Sequence, residues 1–261
     1  MAVFYPPFYP YAQPRTFIPP ATLWTRIQGT GVAVNAGGPN EPLTFASNVT
    51  AGNLLIVNVV GWTFSSSPTL TVTDSQGNTY TQDATLQTNY TVGSFVTSSI
   101  FRAIAGSTGA NTVTVASSPS SFLSFGIEEV RPPSGVVAVD ASSTGTGSST
   151  TASTGNLSLS QVDYIVFGMD VHTNSLTYTA GATFQLEFTA NGTLSEGFAS
   201  QYNWNANAAS VTPSLTISSS SSWNAVSVAY KVNAAANHGL FFPANLSTGS
   251  GGPFFQSGVN A

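Results

Sequence analysis

The sequence predicts an all-β protein: an antiparallel two-sheet sandwich, jelly-roll-like, with extended arms at both termini. Three observations carry this. Short runs of alternating apolar and polar residues recur along the chain, bounded by Gly, Pro, Asn and Asp, and no segment shows a helical period with caps. Only 6% of the 261 residues are charged, against ~25% in ordinary soluble domains. Ser and Thr, about a quarter of the positions, take the place of the missing charge, and Thr suits a strand's outer face because it is β-branched and polar.

The elements follow in chain order. Residues 1–21 combine Phe4, Tyr5, Phe8, Tyr9, Tyr11 and Phe17 with Pro6, Pro7, Pro10, Pro14, Pro19 and Pro20. Proline fixes φ and removes donors, so an extended arm is expected there. Residues 22–232 read as the β-sandwich. Leu54 to Val60 is an apolar strand interrupted by Asn58; Leu70 and Val72 alternate with threonines, as do Val113 and Val115. Asp74-Ser-Gln-Gly77-Asn78 reads as a hairpin turn with Gly77 supplying positive φ. The stretch ASSTGTGSSTTASTG, residues 141–155, has no large side chain to anchor it and reads as a loop. Beyond it, Phe184, Leu186 and Phe188 form one face of a strand, and Val226, Val228 and Tyr230 one face of another. Residues 233–261, with Phe254 and Phe255 among Gly and Pro, read as an extended tail.

Corresponding segments recur in the same order after about a hundred residues, as expected of an internal repeat. NLLIVNVVGW answers to VDYIVFGMDVH, TLTVTD to SLTYTA, and SFLSFGIEEV to WNAVSVAYKV. The pseudo-duplicated halves span about 50–130 and 160–232. One sandwich built from both halves is favoured over two tandem immunoglobulin-sized domains, because each half alone has few large residues to close a core.

Composition excludes several function classes. The five cations, Arg15, Arg26, Arg102, Arg131 and Lys231, are scattered and the formal net charge is -5, so nucleic acid is not an expected partner. No apolar run approaches the ~20 residues of a membrane helix. The N-terminus lacks the basic and apolar regions of a secretory signal, which predicts synthesis in the cytoplasm. Zero cysteine removes thiol catalysis and thiolate metal sites. His172 and His238 are far apart with no zinc-ligand spacing, and the Asp74 turn lacks the acidic ligands of a calcium loop, so neither metal nor cofactor is expected.

Catalytic constellations are thin. Asp170 and His172 share a strand face, but no nucleophile elbow accompanies them. Among Glu128, Glu129, Asp163, Asp170, Glu187 and Glu196, the adjacent Glu128 and Glu129 point to opposite faces. Glu187 and Glu196 lie on successive strands and could face each other near Tyr202 and Trp204. The plainer expectation is that these carboxylates are solvated outer-face residues. No enzymatic activity is expected. The arms carry the stronger signal. Phe4, Tyr5, Phe8, Tyr9, Tyr11, Phe17, Phe254 and Phe255 are the expected partner-binding residues, since exposed aromatics of ~150–250 Å² each call for a surface to cover them.

GNLLIVNVVGW, TVTDSQGNTYT, SSIFRAIAGSTGANTVTV and SFLSFGIEEVRPPSG together resemble a β-sandwich module of tailed-phage virion proteins, with similar modules in bacterial surface proteins. The resemblance covers roughly residues 50–232 and lies in turns and strands, with no catalytic residue to carry over. It implies a capsid decoration (cement) protein located in the virion, with the major capsid protein or other virion subunits as partners and a homo-oligomeric, trimeric state. The alternative is a carbohydrate- or receptor-binding module of a tail fibre or bacterial surface protein, with Trp62, Trp204 and Trp223 stacking on sugars.

Overall fold

The computed structural model describes residues 23–91, 93–172, 176–191 and 196–233. These residues form two large antiparallel sheets packed face to face, with no helix among them. The first half of the chain supplies β1 (Thr25–Thr44), β2 (Leu54–Thr63), β3 (Thr69–Asp74), β4 (Thr81–Thr91), β5 (Ser94–Ile104) and β6 (Thr112–Arg131). Their order is β1-β6-β2-β5-β4, with β3 beside the first part of β6. The second half supplies β7 (Val136–Ser153), β8 (Leu157–Ser158), β9 (Asp163–Val171), β10 (Tyr178–Ala180), β11 (Gln185–Asn191), β12 (Gly197–Ala206), β13 (Ser210–Val211) and β14 (Ser214–Asn233). Here β14-β9-β12-β11 run side by side, β10 pairs the start of β14, and β7 lies along its whole length. β8 and β13 make a separate two-stranded ribbon.

The second sheet repeats the plan of the first. β7, β9, β10, β11, β12 and β14 stand where β1, β2, β3, β4, β5 and β6 stand. The central strands are buried on both faces, which explains their continuous apolar character. In β2, Leu55, Val57 and Val59 pack with Phe101, Leu123, Phe125 and Ile127 of the same half. Leu54 and Ile56 point the other way, against Tyr164, Val166, Val228 and Tyr230 of the opposite sheet. In β9, Ile165, Phe167 and Met169 belong to the second half's own cluster. Asn58, the polar break in β2, faces the join, where Gly168 makes room for it: a Cβ on Gly168 would lie 2.1 Å from Asn58 Oδ1. Nearby, Ser98 Oγ donates to Asn224 Oδ1 at 2.6 Å across the join.

Three local expectations change. Residues 141–153 are not a loop but most of β7, in register with β14 from Ala141 to Ser149 without interruption. Small side chains suffice because the backbone ladder holds the strand, and Gly147 lies against the Trp223 ring, whose Cζ2 is 2.5 Å from where a Gly147 Cβ would stand. The Asp74 turn does contain a left-handed Gly77, φ 73°, but it joins no hairpin, since β3 pairs β6 and β4 pairs β5. Asp74 organises this crossover by accepting from the Gln76 and Asn78 amides and from Asn78, Tyr80 and Asn111 side chains. In β11, a register shift between Leu186 and Phe188 turns Leu186 outward and leaves Glu187 facing the join.

Candidate functional site

Phe4, Tyr5, Phe8, Tyr9, Tyr11, Phe17, Phe254 and Phe255 lie outside the described residues. The chemistry that is described falls into two kinds: carboxyl clusters inside the fold, and one groove at its surface.

The acids are not solvated outer-face residues. Asp74, Asp83, Glu128, Glu129, Asp140, Asp163, Asp170, Glu187 and Glu196, nine of the ten in the chain, are engaged within the fold. Glu128 and Glu129 do point to opposite faces. Glu129 accepts from Asn53 Nδ2 at 2.6 Å, from the Thr50 amide at 2.8 Å and from Gln28 Nε2 at 2.6 Å. Glu128 faces the join and accepts from the Tyr164 hydroxyl. Glu187 meets Glu128 there, with Arg26 Nη2 2.7 Å from Glu187 Oε1 and Arg26 Nε 3.9 Å from Glu128 Oε2. Burial and the neighbouring Glu128 push Glu187 well above the usual carboxylate range. Burial and Glu128 thus favour the neutral form of Glu187, and Arg26 lies beside both acids.

Glu187 and Glu196 do not face each other. Glu196 sits in a second cluster with Asp170, His172 and Tyr90. Tyr90 donates to Asp170 Oδ2 at 2.9 Å, and His172 Nδ1 lies 2.8 Å from Glu196 Oε1. Burial raises Asp170 to about 7, and burial together with Asp170 raises Glu196 to about 11. Asp170 and His172 thus do come together, but through carboxyls rather than a serine. In a third cluster, burial and Asp140 raise Asp163 to about 8. Burial also opposes the charge on Asp140, but Lys231, 2.8 Å away, and the Ser160 amide and hydroxyl outweigh it and lower Asp140 to about 2. These clusters pair acid with carboxylate and hold sheet to sheet or strand to strand. Glu128, Glu187 and Asp163 are sealed from solvent, with side chains or residues at most 2% exposed, so no substrate reaches them.

The three tryptophans expected to stack on sugars divide. Trp62 and Trp223 are buried, 4% and 6% exposed, and cannot stack on a ligand. Trp204 is 40% exposed. The cause is local: β12 slips register against β9 between Asn203 and Ala206, and Asn205 in this bulge has φ 58°. A bulge interrupts the pairing of a strand, and Trp204 lies within this one, past the paired Asn203. Trp204 stacks on Tyr202 at 5.2 Å, and Arg26 lies over the Tyr202 ring at 4.9 Å. Thr183, also left-handed at φ 68°, accepts from Asn203 Nδ2 at 2.9 Å. Two adjoining clefts of ≈ 100 Å³ and ≈ 210 Å³ share Thr183 and Asn203 as walls; Gln185, Tyr202 and Trp204 complete the first, and Asn207 helps line the second.

No family model, no curated protein and no solved structure matches the chain.

Sequence reasoning named Tyr202 and Trp204 but missed Thr183 and Asn205. The available signal was the run Tyr-Asn-Trp-Asn-Ala-Asn, residues 202–207, where Asn recurs at every second position and tolerates left-handed backbone.

Proposed function

We propose that this chain is a non-enzymatic structural protein of a phage virion, a capsid decoration protein that binds the outside of the head through its terminal arms and stabilises it. One observation carries this reading: nearly all the acidic side chains are spent inside the fold, which leaves an exterior of Ser, Thr and Asn. Monomeric β proteins guard their sheet edges with charge, proline or bulges. β1 has register shifts and Pro39 and Pro42, and β4 and β11 have register shifts. β7 is guarded only at its ends. Its single charge, Asp140, is turned toward Lys231, and the nine residues Ala141–Ser149 carry no charge and no proline. Such an edge suits a protein packed among neighbours, as a homo-oligomer, a trimer, against the major capsid protein or other virion subunits.

The aromatic arms supply the apolar surface for that docking, and proline limits the entropy lost when they are immobilised. Apolar burial and backbone pairing are little screened by salt, so attachment persists at high ionic strength. The reading is tested by deleting residues 1–21. The truncated protein is expected to fold and to fail to decorate particles; full occupancy by the truncated protein would refute it.

A further inference from the structure

The groove beside Trp204 has no part in the docking role just proposed, and four features set it apart from the remaining surface. It presents an exposed indole on a protein whose other tryptophans are buried, Trp24, Trp62 and Trp223 being 2%, 4% and 6% exposed. The two non-glycine residues with positive φ among those described, Thr183 and Asn205, both line it. Positive φ at a β-branched residue is an outlier, and backbone strain of this kind gathers where a surface is shaped for binding. The strain is held in place from behind. Asn203 Nδ2 donates to Thr183, the Phe184 amide donates to Gly181 O at 3.0 Å, and the Asn205 side chain accepts the Trp24 amide at 2.9 Å.

The fourth feature is the chemistry of the lining. Thr183, Gln185, Tyr202, Asn203, Trp204 and Asn207 are all uncharged. Nothing in the lining would attract a phosphate or a carboxylate, and nothing would neutralise a cation. In the smaller cleft amides and a hydroxyl offer paired donors and acceptors next to the flat face of Trp204, and the adjoining larger cleft, at ≈ 210 Å³ and lined by Asn203, Asn205 and Asn207, has room for a ring bearing several hydroxyls. That combination fits a neutral sugar, which offers C–H groups to an aromatic face and hydroxyls to amides.

We propose that the Trp204 groove is a binding site for a neutral saccharide, with one ring lying against the indole and bonded by Gln185 and Asn203, and the next ring in the larger cleft bonded by Asn203 and Asn207. No residue of the terminal arms is assigned to the ligand, so the site stands whether or not the arms attach to a shell. Trp204 forms the platform. Asn203 has a second duty, because one N–H of its amide already supports Thr183, so its second N–H and its carbonyl oxygen are left for ligand.

The test uses the full chain, titrated with cellohexaose, maltohexaose and chitohexaose and followed by calorimetry and tryptophan fluorescence. Binding of at least one is expected, weakened about tenfold or more by Trp204→Ala and by Asn207→Ala, with the melting temperature of each variant held within a few degrees. Acrylamide quenching is a second readout, since Trp204 is the exposed indole; bound saccharide should shield it. Failure of all three sugars to bind, or binding unchanged in Trp204→Ala, overturns the proposal. So does a rise in Trp204 quenching on removal of residues 1–22, which would assign the groove to this chain's own arm.

Discussion

Arg26 on β1 and Glu187 on β11 meet at 2.7 Å across the join between the two sheets, and Glu187 brings Glu128 with it. One cation therefore serves two carboxyls, and burial beside Glu128 favours a neutral Glu187. If Glu187 is the member that carries the proton, a neutral amide should replace it with little loss. Glu187→Gln is expected to change stability by less than about 1 kcal/mol, whereas Arg26→Ala, which leaves two acids facing each other, should cost about 1–3 kcal/mol. Urea denaturation of the two variants at neutral pH checks the contrast.

Buried carboxyls held neutral set the pH dependence. Asp163, Asp170 and Glu196 are raised in the fold above the ~4 of an unfolded carboxyl. Below that pH both states hold the proton and the contribution is complete. As pH rises the unfolded chain ionises first, and stability falls until the folded groups ionise, at about 7 for Asp170, about 8 for Asp163 and about 11 for Glu196. Asp74 and Asp140 act in the opposite sense: their contribution is present above ~4 and is lost as pH falls, to about 2 for Asp140. Melting temperature should therefore peak in mild acid and be lower at pH 8 than at pH 5, by at least roughly 2–4 °C. A flat profile between those pH values would contradict the raised carboxyls.

Close approach of the sheets rests on Gly168 as much as on apolar contacts. Because its absent Cβ is where the Asn58 amide lies, Gly168→Ala should destabilise by about 1–3 kcal/mol through overpacking. Asn58→Ala in the same chain should recover part of that loss. A double-mutant cycle measures the coupling, which contact predicts to be at least about 0.5 kcal/mol.

How much of this was legible in the sequence depends on which force set each feature. Leu70, Val72, Val113 and Val115 could be assigned to a buried face from alternation alone, since one side of those strands meets solvent or a neighbouring strand. β7 could not be read this way, because its place depends on the backbone ladder to β14, which leaves no trace in hydrophobicity. Glu128, Glu187 and Asp170 were misjudged for a related reason. A lone acid in a strand is ordinarily solvated, and only the fold brings Arg26, Tyr164 and Tyr90 to them from other strands. Trp204 could be suspected from its neighbours, but its exposure comes from a register slip and a left-handed Asn205.

The unguarded edge of β7 leads to a prediction about assembly. Thr144 and Thr146 are exposed on that strand, and a lysine at each adds the charge that discourages edge pairing. Thr144→Lys with Thr146→Lys should leave the melting temperature nearly unchanged and shift the protein toward monomer in sedimentation. An unchanged oligomer would remove β7 from the interface.

A decoration protein sits on the outside of the head, at positions set by the shell. Electron microscopy of the intact native particle tests this placement most directly. The account predicts density for the two-sheet core at positions that repeat with the lattice on the outside of the head, joined to the shell by ordered density for residues 1–21. Absence of the chain from the shell, or its confinement to a tail tip, would contradict the account.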